Sequence, residues 1–202
     1  MSMRKEPHTT RDGYKIWLND DEQAQLVQHL EEEPKKQIAI ELMLCGLRSD
    51  EVTRVSASHL RKIKHQEQEG YKLHIPKGKT GARETPIKAD TAKRLRMLKN
   101  ATGIKKDQPL IEVTPRTVQR WTTTAAAEMA AETGDEDWEH LTAHDLRRTW
   151  ATQVYYNISG ARAKEIVMSW GGWSDEETFR NSYLGRETDD ISLKFMAEAG
   201  LL

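Results

Sequence analysis

The 202-residue chain lacks any apolar run near the roughly 18 residues that a membrane span needs. A membrane-spanning protein is therefore not expected. Its N-terminal stretch, MSMRKEPHTTRDGYKIW, carries charges with no apolar segment behind them, so it reads as neither a secretion signal nor an anchor. The cytoplasm is the expected compartment. There is one cysteine, Cys45, so no intrachain disulfide can form, and its place in the apolar run IAIELMLCG suits a small core hydrophobe. No repeat and no low-complexity tract interrupts the chain, and its length suits one domain with one sizeable core.

Net charge is nearly absent too, at −1, but that total hides an asymmetry. From Leu60 to Lys106 there are 14 Lys and Arg against 4 Asp and Glu, a local balance of +10 that leaves −11 for the remainder. Such a segment is either a polyanion-binding surface or an ordinary solvated face, and charge alone does not choose between them.

The apolar spacing is mostly helical. Leu18 to Glu33 predicts a helix with Asn19 or Asp20 as N-cap and Leu26, Val27 and Leu30 on one face. Pro34 ends it and opens a second, nearly all-apolar helix through Ile38, Ile40, Leu42, Met43 and Leu44, with Gly46 placed to close it at positive φ. Ser49 is expected to cap a short helix over Asp50 to Val55. Between Leu60 and Ile87 the pattern alternates, which predicts three antiparallel strands around a Gly-containing turn. Asp90 is expected to cap a basic helix, Thr114 and Pro115 to open one running to Gly134, and Thr142 to cap the stretch HDLRRTWATQVYY. Ser159 is read as the cap of ARAKEIVMSW, and Ser174 with Glu177 as a capping box before ETFRNSY. The fold class is α+β, mainly helical, with one small three-stranded antiparallel sheet.

Several polar positions could carry chemistry. Arg48 follows the apolar helix in CGLRSDEV, where a guanidinium beside a helix N-terminus suits a phosphate, although an ion pair with Glu51 or Asp50 is the plainer account. His144 and Arg147 lie three apart, on one helix face and within reach of a common ligand, with Arg148 pointing away. A phosphohydrolase metal centre would need further His and Asp ligands that the chain does not supply, so no metal is expected. Lys79 sits in KGKTGARETPI between two strands. Its GKT triplet is not a P-loop, because that motif needs a glycine at position 73, which is Leu73. A mobile hairpin lysine that can donate a proton is one reading, and a solvated lysine the other. Tyr183 has no signature of its own among the five tyrosines. A phenol acts as a nucleophile only beside cations that stabilise the phenolate and the group under attack.

Taken in order, GLRSDEV, KTGAR, HDLRRTW, GGWSDEETF and SYLG resemble the catalytic core of the tyrosine recombinase (phage integrase) family, from about Trp17 to the C-terminus. Each motif is short, but five in this order and spacing are hard to obtain by chance. The resemblance implies a catalytic domain over residues 17–187, preceded by an extension or linker and followed by a tail helix at 188–202 that either packs on its own domain or docks on a neighbouring protomer. It implies that Arg48 and Arg147 grip the non-bridging oxygens of the scissile phosphate and that Lys79 protonates the leaving 5'-hydroxyl. His144 would assist proton transfer, Tyr183 would be the nucleophile, and Glu51 would prop the site. Trp173 stands where most members carry a second histidine; its indole N–H can donate to a phosphate oxygen but cannot move a proton. The interval from Trp173 to Tyr183 is about a residue longer than usual.

The implied partner is double-stranded DNA, bound by a homotetramer that is a monomer or weak oligomer when free, with no cofactor. Lys77, Arg83, Lys88 and Lys93, on the basic hairpin and the helix after it, are the expected contacts to flanking phosphates. The biological setting implied is a mobile element or virus, in which case the compartment is the host cytoplasm. Members normally carry a helical clamp domain before the catalytic one. With about 16 residues before Trp17, the chain is expected to be a fragment, a minimal recombinase, or a protein needing a partner for site recognition. Two alternatives share the features: a DNA-binding regulator that keeps the fold without chemistry, and a type IB topoisomerase.

Overall fold

A computed structural model describes residues 3–8, 12–78, 81–158, 160–187 and 189–202, the side chains of Lys77 and Asp190 excepted. Lys79 and Ser159 lie outside the described residues.

The centre of the fold is α2 (Pro34–Met43), whose residues from Gln37 to Met43 are all buried. A helix buried on all sides over this span has no solvent face there, so neighbours surround it: α1 (Asp20–His29), α4 (Ala89–Thr102), α5 (Pro115–Thr133) and α6 (Ala143–Asn157) all pack on it. The helix α1 starts as expected, with Asn19 accepting from the Glu22 N–H and Glu22 from that of Asn19. It stops at His29, short of the Glu33 that apolar spacing suggested. Thr114 and Pro115 open α5 and Gly134 closes it, as expected.

Three strands form the expected antiparallel sheet in the order β3 (Leu60–His65), β4 (Gln68–Gly78), β5 (Gly81–Ile87). Leu73 and Ile75 of β4 and Ile87 of β5 are buried in the main core, while the opposite face carries most of the charge. The register shifts between Ile75 and Gly78, next to the hairpin tip.

Four local expectations are corrected. The cap of α4 is Lys88, with Asp90 inside the first turn, where a carboxylate still meets the positive end of the helix. The short helix α3 (Ser49–Val52) begins one residue earlier than expected, because the Glu51 carboxylate accepts from the Arg48 N–H. Asp175, not Ser174, caps α8 (Glu176–Ser182) by accepting from the Thr178 N–H at 2.7 Å. Finally, an unforeseen hairpin, β1 (Arg4–Pro7) with β2 (Tyr14–Trp17), lies against α6. It is anchored by backbone donors: the Ile16 N–H to Asp145 at 3.2 Å and the Leu18 N–H to the Thr149 hydroxyl at 3.0 Å. Met3, Ile16, Trp17 and Leu18 are buried in consequence.

Past α6, helices α7 (Ala163–Gly171) and α8 enclose a second, smaller apolar cluster of Trp150, Ala151, Val167, Trp173 and Phe179. A last helix, α9 (Asp189–Glu198), buries Ile191 and brings Phe195 near Tyr156, leaving Leu193, Met196, Leu201 and Leu202 exposed. No described helix is long and apolar enough to cross a membrane.

Candidate active site

Between the main core and the small cluster opens a cleft of about 660 Å³, lined by residues of α3, α5 and α6 and by Tyr183. Its cationic wall is built around Glu51, which is 1% exposed. One carboxylate in that position takes the Arg83 guanidinium on both oxygens, at 2.8 and 2.9 Å, and the Arg48 guanidinium at 3.0 Å. A buried carboxylate demands such pairing, because alone it would cost several kcal/mol of lost hydration. Arg48 faces the cleft, and so the ion pair and the phosphate-binding role read from the sequence are compatible, since Glu51 engages only part of its donor fork.

Successive carbonyls at the end of α7 complete this wall. Trp170 O accepts from Arg83 at 2.9 Å, Gly171 O from Arg147 at 2.6 Å and Gly172 O from Arg48 at 3.1 Å. These are terminal carbonyls without helical partners, at the negative end of the helix dipole, so three guanidinium groups satisfy them well. Gly46 O, across the site, accepts from Arg83 and from Arg147. Gly46 has φ +87, and a Cβ there would lie 2.6 Å from the Trp150 ring, so the turn that presents this carbonyl needs glycine.

Arg147 is 1% exposed and joins the two walls. Burial pulls its guanidinium down to about 9, and repulsion from Arg48 and Arg83 adds to that fall. It remains charged at neutral pH. Its Cζ lies 4.0 Å from the centre of the Trp173 ring and 5.6 Å from that of Tyr183. Two buried donors at this contact, Arg147 Nε and Trp173 Nε1, meet no acceptor among the described residues.

Tyr183 caps α8, its backbone N–H bonded to Phe179 O. Its ring centre stands 4.6 Å from that of Trp173 and 4.7 Å from that of His144, so His144, at the start of α6, adjoins the phenol. The structure therefore gathers Arg48, Glu51, His144, Arg147, Trp173 and Tyr183 in one place. Trp173 is packed inside the small cluster, 8% exposed, rather than standing at the mouth of the cleft.

Other expected residues fall elsewhere. Arg83 does not lie on the surface suited to a DNA-binding cation, because its guanidinium is buried against Glu51 and two carbonyls. Lys88 and Lys93 are exposed at the start of α4, while the side chain of Lys77 and all of Lys79 are outside the described residues. Arg148, read as pointing away, is 5% exposed, pairs with Asp145 and donates to Ser182 O at 2.7 Å. The sequence also did not single out Gln119 and Thr123 of α5, which line the cleft. Their only signal was a polar stripe on a helix whose other face is apolar. Among the described residues no cluster of three His, Cys, Asp or Glu side chains could hold a metal ion.

The comparisons with known proteins bear on the family and the fold. The pattern of the Phage integrase family matches residues 16–188. Among solved structures, XerA recombinase superposes with a TM-score of 0.68 at 17% identity, covering 96% of this chain and 66% of that one. The Tn1549 transposon integrase in complex with transposon right end DNA gives 0.64 at 16% identity, covering 95% and 68%. A lambda integrase dimer bound to a COC' core site gives 0.55 at 20%, covering 86% and 49%. The chain thus spans about half to two thirds of these solved proteins. No curated protein sequence matches it. With the family pattern lying over most of its length, the chain belongs to the phage integrase family.

Proposed function

We propose that the protein is a site-specific DNA recombinase that cuts and rejoins strands of double-stranded DNA through a covalent tyrosine intermediate. The observation that carries this reading is the setting of Tyr183, whose ring adjoins His144 and lies 5.6 Å from the Arg147 guanidinium, beside a cleft that Arg48 also faces. A merely structural tyrosine has no need of two fixed cations.

In this reading the phosphate enters between Arg48 and Arg147, and one of its oxygens meets the unsatisfied donor of Arg147. Leaving such a donor buried and unpaired costs about 1–3 kcal/mol, which an incoming anion recovers. The Tyr183 oxygen attacks phosphorus as its proton passes by way of His144 to solvent. The phosphate–5'-oxygen bond breaks, and Lys79 supplies the proton that the departing 5'-oxygen takes up. A 3'-phosphotyrosyl bond then holds the strand until a 5'-hydroxyl of another strand reverses the step. Each well-placed donor to developing charge is worth a few kcal/mol in the transition state. Lys88 and Lys93 contact flanking phosphates, so affinity falls as salt rises.

Nicked or suicide DNA substrates test this directly: wild-type protein should give a covalent adduct, and Tyr183→Phe none. An adduct that survives Tyr183→Phe would refute the assignment, and DNA binding without any adduct would identify a regulator. Lys79→Ala should slow cleavage and be rescued by a substrate with a better leaving group. We further propose that the exposed apolar side chains of α9 and the last two residues dock on a neighbouring protomer, building a tetramer on DNA. Truncation after Arg186 should then abolish assembly on DNA in gel filtration.

A further inference from the structure

Three residues spaced by four along α6 hold the backbone that carries Tyr183. Arg148 donates to Ser182 O at 2.7 Å. The Thr152 hydroxyl donates to Tyr183 O at 3.2 Å and accepts from the Gly185 N–H at 2.9 Å. The Tyr156 hydroxyl donates to Gly185 O at 3.3 Å. Residues at i, i+4 and i+8 lie along one helix stripe, so these side chains form a polar ladder, and the chain leaving α8 runs along it. The rungs are unusually well buried for polar groups: Thr152 is fully buried and Arg148 is 5% exposed.

From the other side the segment is closed by the N-terminal hairpin. A Cβ at Gly185 would come within 2.5 Å of the Trp17 ring, so only glycine lets the indole approach the backbone this closely. Arg4 donates to Glu187 O, and Lys15 to Asn181 O at 3.0 Å. The ladder is in turn tied to this hairpin, because Asp145, the ion partner of Arg148, accepts from the Ile16 N–H.

We propose that Thr152, with Arg148 and Tyr156 on either side, is a positioning residue for Tyr183: the ladder fixes the backbone at 182–185 and thereby holds the phenol against His144 and Arg147 of its own chain. The helix that supplies the phosphate-binding arginine also supplies the ladder, so one rigid element sets both ends of the distance that the attack must close. This rests on the proposed role of Tyr183. Sub-ångström placement of a reacting group matters because a displacement of about 1 Å can cost a hundredfold in rate.

The test is Thr152→Val, which keeps the shape and deletes the hydroxyl, against Thr152→Ser, which restores it. In the full-length chain, Thr152→Val should bind DNA with wild-type affinity in a gel shift. It should form the covalent adduct roughly ten- to a hundredfold more slowly in single-turnover cleavage of a nicked suicide duplex. Thr152→Ser should recover the rate. Cleavage by Thr152→Val at the wild-type rate would overturn the proposal. The placement has a second readout without DNA: a 3-fluorotyrosine at position 183 should give a shifted or broadened 19F line in Thr152→Val and a wild-type line in Thr152→Ser, and an unchanged line in both would overturn it. If wild-type protein forms no adduct, the recombinase reading fails and the fluorine line alone judges the ladder. Should Thr152→Val not fold, Tyr156→Phe removes only the outermost rung. It should move the same line by less, and no movement would again count against the ladder.

Discussion

The two walls of the cleft are made stiff in opposite ways. On one, Arg48 and Arg83, carried by elements of the main core, are locked to a single buried carboxylate and to carbonyls at the end of α7. On the other, the Tyr183 ring meets Trp173 edge to face, and Trp173 is itself packed on Phe179 and stacked on Trp150. The difference teaches what each wall is for. Charges that must bind a phosphate gain from being fixed in advance, because a preorganised dipole spends nothing on reorganisation at the moment of reaction. A nucleophile must move toward phosphorus and back: with its backbone fixed by the ladder on α6, an edge-to-face ring contact still lets the phenol itself shift more readily than a bidentate ion pair would. Arg147 belongs to both, hydrogen bonded to Gly46 O and Gly171 O and lying on the Trp173 ring.

Breaking the charged wall should have the largest effect. Glu51→Ala would leave Arg83 buried with no counter-charge and Arg48 and Arg147 repelling it, a loss of about 3–5 kcal/mol by the usual cost of opening a buried pair. Urea denaturation measures this. Glu51→Gln keeps the shape and part of the hydrogen bonding and should fall between that variant and wild type. A Glu51→Ala protein within 1 kcal/mol of wild type would mean that the carbonyls of α7 hold the arginines unaided.

The aromatic wall should give way more gently. Trp173→Phe keeps a ring between Trp150 and Tyr183 and deletes an N–H that has no acceptor among the described residues. The stability loss should be about 1 kcal/mol, at the mild end for a core substitution. If the phosphate is the missing acceptor, cleavage falls roughly a hundredfold all the same. An unaffected cleavage rate would assign Trp173 to packing alone.

This contrast also explains how much could be read from the sequence. Local signals carry the charged wall's frame: the glycine closing an apolar helix, an arginine next to it, and His144 three residues before Arg147 on one helix. Alternation reveals the three strands. Long-range pairing leaves no local signal. Arg83 sits in a basic stretch of sequence, and nothing near it there shows that Glu51, 32 positions earlier, draws it inside. Arg148 looks like the outward neighbour of Arg147 until the chain after α8 is seen to return and lay Ser182 O against it. The first hairpin, RKEP with YKIW, is too short and too charged for alternation to be visible, and its burial comes from docking on α6 rather than from its own pattern.

The smallest effect takes the same pairing chemistry to the surface. His29, at the end of α1, is bonded through both ring nitrogens to carboxylates of α5, Glu128 at 2.9 Å and Glu132 at 3.2 Å. Two acceptors on one ring require two N–H groups, so the imidazolium is the bound form. The hydrogen bond to Glu128 chiefly raises its titration above the ordinary value of 6.5. A group whose folded value is raised contributes stability that is fully present below the unfolded value and is lost as pH rises through the folded one. His29→Gln should therefore lower Tm slightly near pH 6 and leave it unchanged near pH 9, a window set by that upward shift. Both carboxylates are largely exposed, at 49% and 61%, and solvent screens them, so the effect must be far below that of Glu51→Ala. If the two losses were comparable, burial would not be what makes the charged wall of the cleft stiff.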